Sequence, residues 1–190
     1  MENKQKIGNP AVVGLAGFGL TTLLLQFHNI GISGLGPVVA MAFIFGGFAQ
    51  LIAGFMEQKT GNNFGFAAFS TYGAFWIGLG IIWILNNLKI YKSSHIDIGL
   101  YLLGFTILTA IFWIGSLFIN KAMNTIFSLL LLGFILLVIG HLINPIFNII
   151  AGYELILCTI SAWYLMASII INDVSGKELL KVGTPWIKLK

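Results

Sequence analysis

The sequence predicts an all-α membrane protein with six transmembrane helices. Three observations carry this reading. First, 58% of the 190 residues are hydrophobic and only 8% are charged, and the mean hydropathy is +0.96. A soluble domain carries about 25% charged residues, so this chain has too few to cover a water-exposed surface. Second, apolar runs approaching the roughly 20 residues that a spanning helix needs recur along the chain, joined by short polar connections. Third, the lysines fall unevenly between those connections.

The first run, residues 12–26, leads into a loop at 28–36. It opens with Asn9-Pro10, and proline suits a first helical turn behind a capping asparagine. No small-residue cleavage site follows and further spans do, so it reads as an uncleaved helix. The second run covers 37–56. Gly46, Gly47, Gln50, Ala53, Gly54 and Glu57 recur there at helical spacing and form one small or polar face. A polar hairpin, 57–63, precedes the third run at 64–85, whose start at Gly61-Asn62-Asn63 offers an N-cap. The fourth, fifth and sixth runs cover 98–119, 125–143 and 149–171. With short ends at about 1–9 and 173–190, residues 1–190 form a single membrane-spanning domain.

There is no arginine among the ten basic residues. Threading six helices puts Lys4, Lys6, Lys59, Lys121, Lys177, Lys181, Lys188 and Lys190 on one side and Lys89 and Lys92 on the other. The positive-inside rule places both termini in the cytoplasm of a multi-pass inner-membrane protein. The same bias explains the net charge of +4 without a nucleic-acid partner. The single cysteine, Cys158, excludes an intramolecular disulfide and reads as a buried thiol. His28, His95 and His141 lack metal-ligand spacing. Phosphate-binding loops and nucleophile sets are absent, so no metal, cofactor or enzymatic activity is expected.

An internal echo is visible. Leu15-Ala16-Gly17-Phe18 resembles Leu102-Leu103-Gly104-Phe105, and the segment 70–76 resembles 158–164 at nearly the same offset. Two three-helix halves would have opposite orientation, a common transporter plan; chance similarity among apolar segments is the alternative. Candidates for lining a path are the polar groups inside the spans. An unpaired polar group in lipid costs several kcal/mol, so Gln50 points inward, either as a packing tie or toward a solvated path. Thr21, Thr22, Thr71 and Thr125 are further candidates. Asn62 and the helix N-terminus behind it suit a carboxylate or serve as a cap alone. Without arginine there is no bidentate clamp, which suits weak, transient anion binding. Glu57 beside Lys59 suggests a hairpin ion pair. Glu154, near the outer end of the last span, suggests a carboxylate that reaches water.

The blocks Asn9-Pro10-Ala11 with Gly14-Leu15-Ala16-Gly17-Phe18, and 54–76 with Tyr72-Gly73-Ala74-Phe75-Trp76, resemble the signature of the acetate uptake transporter family, which includes bacterial succinate–acetate permeases. The resemblance extends from Asn9 to about Ile171. Val12 replaces a usual proline, and Asn63 replaces a usual threonine. The resemblance implies transport of acetate or a similar small carboxylate, a homohexamer in membrane lipid with one pore per protomer, and a hydrophobic constriction at Phe18, Tyr72 and Leu129. It also implies a substrate-size role for Ala162. A channel for urea, ammonia or water is the rival reading; a non-transporting scaffold or enzyme is the second.

Overall fold

A computed structural model of the chain describes residues 8–188, so Lys4, Lys6 and Lys190 of the lysine pattern lie outside the described residues. Among the described residues, six helical runs are long and apolar enough to cross a membrane. They are α1 (Ala11–Asn29); a second span built from α2 (Gly36–Phe43), a π-helical segment (Ile44–Ala49) and α3 (Gln50–Thr60); α4 (Asn63–Asn87); α5 (His95–Ser116); α6 (Lys121–Leu142); and α7 (Ile146–Ser175). Each expected span is present, with ends shifted by a few residues.

Local chemistry explains most of the starts. Asn9 Oδ1 accepts the Ala11 N–H at 3.0 Å. Asn62 accepts the Gly65 N–H at 3.1 Å and Asn120 the Met123 N–H at 2.8 Å. Ser94 and Asp97 form a reciprocal capping box at α5. These bonds satisfy backbone donors that a helix start leaves without internal partners.

The helices pack in a closed ring. The second span lies between α1 and α4, α6 lies between α5 and α7, and α7 returns against α1; α4 and α5 touch least. In the first three spans and in the last three alike, the middle span lies between the other two. α1 approaches the π-helical segment so closely at Gly17 that a side chain there would collide with the Phe45 carbonyl. Gly46, Gly47, Gln50, Ala53, Gly54 and Glu57 are all buried, so the small-polar face turns inward. Large apolar side chains such as Phe48, Ile52, Ile107 and Ile111 stay exposed on the outside, as a lipid-facing bundle demands.

Beyond α7 the chain turns back as an extended strap. Leu179 and Leu180 donate backbone N–H bonds to Asn172 Oδ1 at 2.8 and 2.9 Å. Val182 accepts the Ala122 N–H at 2.9 Å, and Trp186 and Ile187 donate to the Leu117 carbonyl. The strap thereby joins α7 to the start of α6.

Candidate functional site

A row of cavities follows the inside of the helical ring. At the end where α1 begins and α3 meets α4, Asn9, Pro10, Glu57, Thr60 and Asn62 border a cavity of about 300 Å³. Asn62 also lines the next, of about 240 Å³, with Leu15, Phe18, Gln50, Tyr72, Phe127 and Leu130. Phe18, Tyr72 and Leu130 are common to this cavity and a third, of only about 30 Å³, which Thr22, Gln26, Trp76 and Phe134 also line. Leu25, Phe75 and Leu137 then separate the third from a fourth of about 160 Å³ at the opposite end, with His28, Asn29 and His141.

The narrow level is aromatic. The rings of Phe18 and Tyr72 lie 6.0 Å apart between centroids. Tyr72 is also held by Phe112, Phe127 and Phe134 at 5.9, 6.3 and 6.4 Å. Its hydroxyl is 2.8 Å from Thr109 Oγ1, which donates its own proton to the Phe105 carbonyl at 2.7 Å. A threonine hydroxyl has one proton, so Tyr72 is the donor and its O–H is committed to α5. Thr109→Val removes the acceptor of a buried hydroxyl while keeping the shape. It should cost about 1–3 kcal/mol, visible as a lower thermal midpoint of the purified protein, whereas Thr109→Ser should recover most of the loss.

The leucine at the shared wall is Leu130, not Leu129. Met123, Phe127, Leu130, Phe134 and Leu137 form the inward stripe of α6. One helical step turns Leu129 by roughly 100°, and it packs half-buried against the core instead. The same step turns Thr71 off the face that carries Tyr72. Thr21 is fully buried, but it is spent on α1's contact with the second span. A Cβ at Gly46 would meet it at 2.5 Å, and its Oγ1 lies 3.5 Å from the Met41 carbonyl. Thr125 is exposed and donates to the Lys121 carbonyl at 3.0 Å, on a lateral groove. Ala162 is fully buried in α7 and lines neither central cavity.

Five polar side-chain atoms along the row are buried without a protein partner: Glu57 Oε1 at the mouth and, deeper in, both amide atoms of Gln50, the Thr22 hydroxyl and the Trp76 indole N–H. Buried polar groups are almost always paired, and the exceptions ask for water or a ligand. Gln50 and Trp76 supply N–H donors on opposite sides of the aromatic level. Gln26, 1% exposed, accepts from Asn29 at 2.9 Å through its oxygen and keeps its own NH₂. The arrangement is donors set in apolar walls, a lining that fits a small molecule with one anionic and one apolar end.

Glu57 does not pair with Lys59. It lies one heptad after Gln50 on the buried face of α3, while Lys59, two residues on, is exposed. Its carboxylate accepts from Asn62 Nδ2 at 2.8 Å, while the Thr60 hydroxyl gives its one proton to the Glu57 carbonyl at 2.8 Å, so the N-cap of α4 and the end of α3 are tied together at the mouth. Glu154 is half-buried beside Gly133, away from the cavities. Cys158 is fully buried, as expected of an inert thiol.

Comparison with known proteins gives a consistent picture. The GPR1/FUN34/yaaH family profile matches residues 1–179. The succinate-acetate/proton symporter SatP of Escherichia coli K12 is 36% identical over 181 residues, 94% of this chain and 96% of its own length. Acetate permease A of Emericella nidulans is 34% identical over 203 residues, 96% of this chain and 68% of its own length. The solved structure of the bacterial acetate channel SatP matches with a TM-score of 0.91 at 36% identity, covering 94% of this chain and 100% of that chain.

Proposed function

The chain belongs to the GPR1/FUN34/yaaH family, and on that premise we propose that it carries acetate and related small carboxylates, succinate among them, through a path inside each protomer. It is a transport protein rather than an enzyme, as are its relatives, a symporter, a permease and a channel by name. The observation that carries the proposal is the row of cavities with unpaired N–H groups on both sides of the aromatic level.

Asn9 and Asn62 form the mouth, and Gln50 receives the carboxylate in the first cavity. Phe18, Tyr72 and Leu130 make a dry constriction where the ion sheds water. Thr22, Gln26 and Trp76 meet it on the far side. Conduction needs binding strong enough to admit the ion and weak enough to release it; single neutral donors supply that, where an arginine clamp would hold too long. Ala162 influences size selection through helix packing, since it stands back from the cavities. Channel-like flow and proton symport share this path, and acidification measured alongside acetate uptake separates them. Assembly as a homohexamer completes the reading, in line with the family resemblance.

The test is flux into liposomes containing the purified protein, with acetate, succinate, formate and urea compared. Acetate should pass well ahead of urea; equal passage of urea would favour a general small-solute channel. The lysine bias also leads us to infer that both termini face the cytoplasm. Reporter fusions after Lys190 and within the 31–36 loop should report opposite sides, and a shared side would remove that orientation.

A further inference from the structure

A second concave site lies on the outside of the bundle. Lys121, Ile160, Ser161, Tyr164, Lys181 and Val182 border a lateral groove of about 500 Å³ between α6, α7 and the C-terminal strap. We infer that this groove binds an anionic phospholipid, its phosphate between the Lys121 and Lys181 ammonium groups and an acyl chain along α7.

Position comes first. Tyr164 lies about 18 residues along α7, roughly 27 Å at 1.5 Å per residue. The hydrocarbon core is about 30 Å thick. With Ile146, the start of α7, set at the far boundary of that core, the groove falls near the opposite boundary, where headgroups begin. Below it, Tyr153, Leu157, Ile160 and Tyr164 are exposed at 62%, 55%, 58% and 42%. Their spacing of three and four makes a continuous apolar track down one face of the helix. Lysine above an apolar track matches the two ends of a phospholipid, and Trp186, 59% exposed, stands where interfacial aromatics usually lie.

The site is also built. Tyr164 donates its hydroxyl to the Lys181 carbonyl at 2.8 Å, and Ala122 donates its N–H to Val182 at 2.9 Å, so the strap cannot swing away without breaking both. Gly183 adopts φ +76°, and a Cβ there would meet the Lys121 stem at 2.9 Å. A glycine lets the strap pass beneath that stem. The Lys121 ammonium lies 4.6 Å from the Trp186 ring centre, a cation–π contact that restrains this groove-lining side chain. No part of this arrangement belongs to the central path, so a failed lipid test leaves the transport reading untouched.

The test uses the purified full-length protein in detergent, incubated with phosphatidylglycerol or phosphatidylcholine and read by native mass spectrometry. Wild type should retain phosphatidylglycerol preferentially. A lysine at an anionic lipid surface is worth about fivefold in binding, so Lys121→Gln with Lys181→Gln should weaken retention about thirtyfold. Glycerol phosphate, which lacks the acyl chains, should not displace the lipid at equal concentration. Should the double variant not fold, Ser161→Phe fills the groove with both lysines intact and should give the same loss. Equal retention in these variants, equal retention of phosphatidylcholine, or displacement by glycerol phosphate would overturn the inference. So would a smaller assembly mass in the variants with lipid retention unchanged, which would give this face to a second copy of the chain.

Discussion

Phe18→Ala is expected to raise acetate flux while leaving a folded protein. In a close-packed core the same truncation costs about 3–5 kcal/mol. Phe18 lines a cavity on either side, so its ring has fewer neighbours to lose and the cost should fall well below that range. Tyr72 keeps its place, because Phe112, Phe127 and Phe134 hold its ring and Thr109 holds its hydroxyl. What changes is the width of the dry level. A wider opening lets the carboxylate keep more of its water, and each 1.4 kcal/mol taken off the barrier is about a tenfold gain in rate. Selectivity against larger carboxylates should loosen in step. The measurement pairs thermal stability and purified yield with flux per folded protein. A marked stability loss with unchanged flux would place Phe18 in the core and move the constriction elsewhere.

The six spans were legible because the bilayer imposes a simple rule, an apolar run of fixed length, and because asparagine and serine caps mark where several of the helices begin. The inward face of the second span was legible for the same periodic reason. What could not be read was phase. The aromatic level depends on whether Leu129 or Leu130 completes it, and a run of four leucines at 129–132 carries no internal marker of which one faces in. Only the stripe Phe127, Leu130, Phe134, fixed by packing, decides it. The threonines misled for a related reason. Thr21 and Thr22 differ by one helical step; one is consumed against Gly46 and the other reaches the path. The π-helical segment at Ile44–Ala49 left one trace, the Gly46-Gly47 pair, which reads equally well as close packing. His28 and His141 lack metal-ligand spacing and stand far apart in the sequence, and only the fold brings both to one cavity. Trp76 closes the block 54–76 that carries the family resemblance, but its unpaired N–H depends on where α1, α6 and α7 come to rest.

The π-helical segment bears directly on Gln50, the first residue after it. An extra residue per turn shifts the phase of everything that follows, and such bulges cluster at functional sites. Here the result is a fully buried glutamine on the 240 Å³ cavity, with both amide atoms unpaired. Gln50→Met keeps the unbranched shape and removes both polar groups. If Gln50 served as a packing tie, its loss would lower stability. With no protein partner to lose, the variant should instead be as stable as wild type or more so, since a buried unsatisfied group costs about 1–3 kcal/mol. Transport should move the other way. A hydrogen bond to a charged group is worth about 1.5–3 kcal/mol, so acetate flux at low concentration should fall by roughly ten- to a hundredfold. Uncharged urea should be affected far less. Thermal midpoints and liposome flux on the same preparation decide the matter. Lower stability with flux per folded protein preserved would make Gln50 a structural tie after all, and would leave the first cavity without its anion donor.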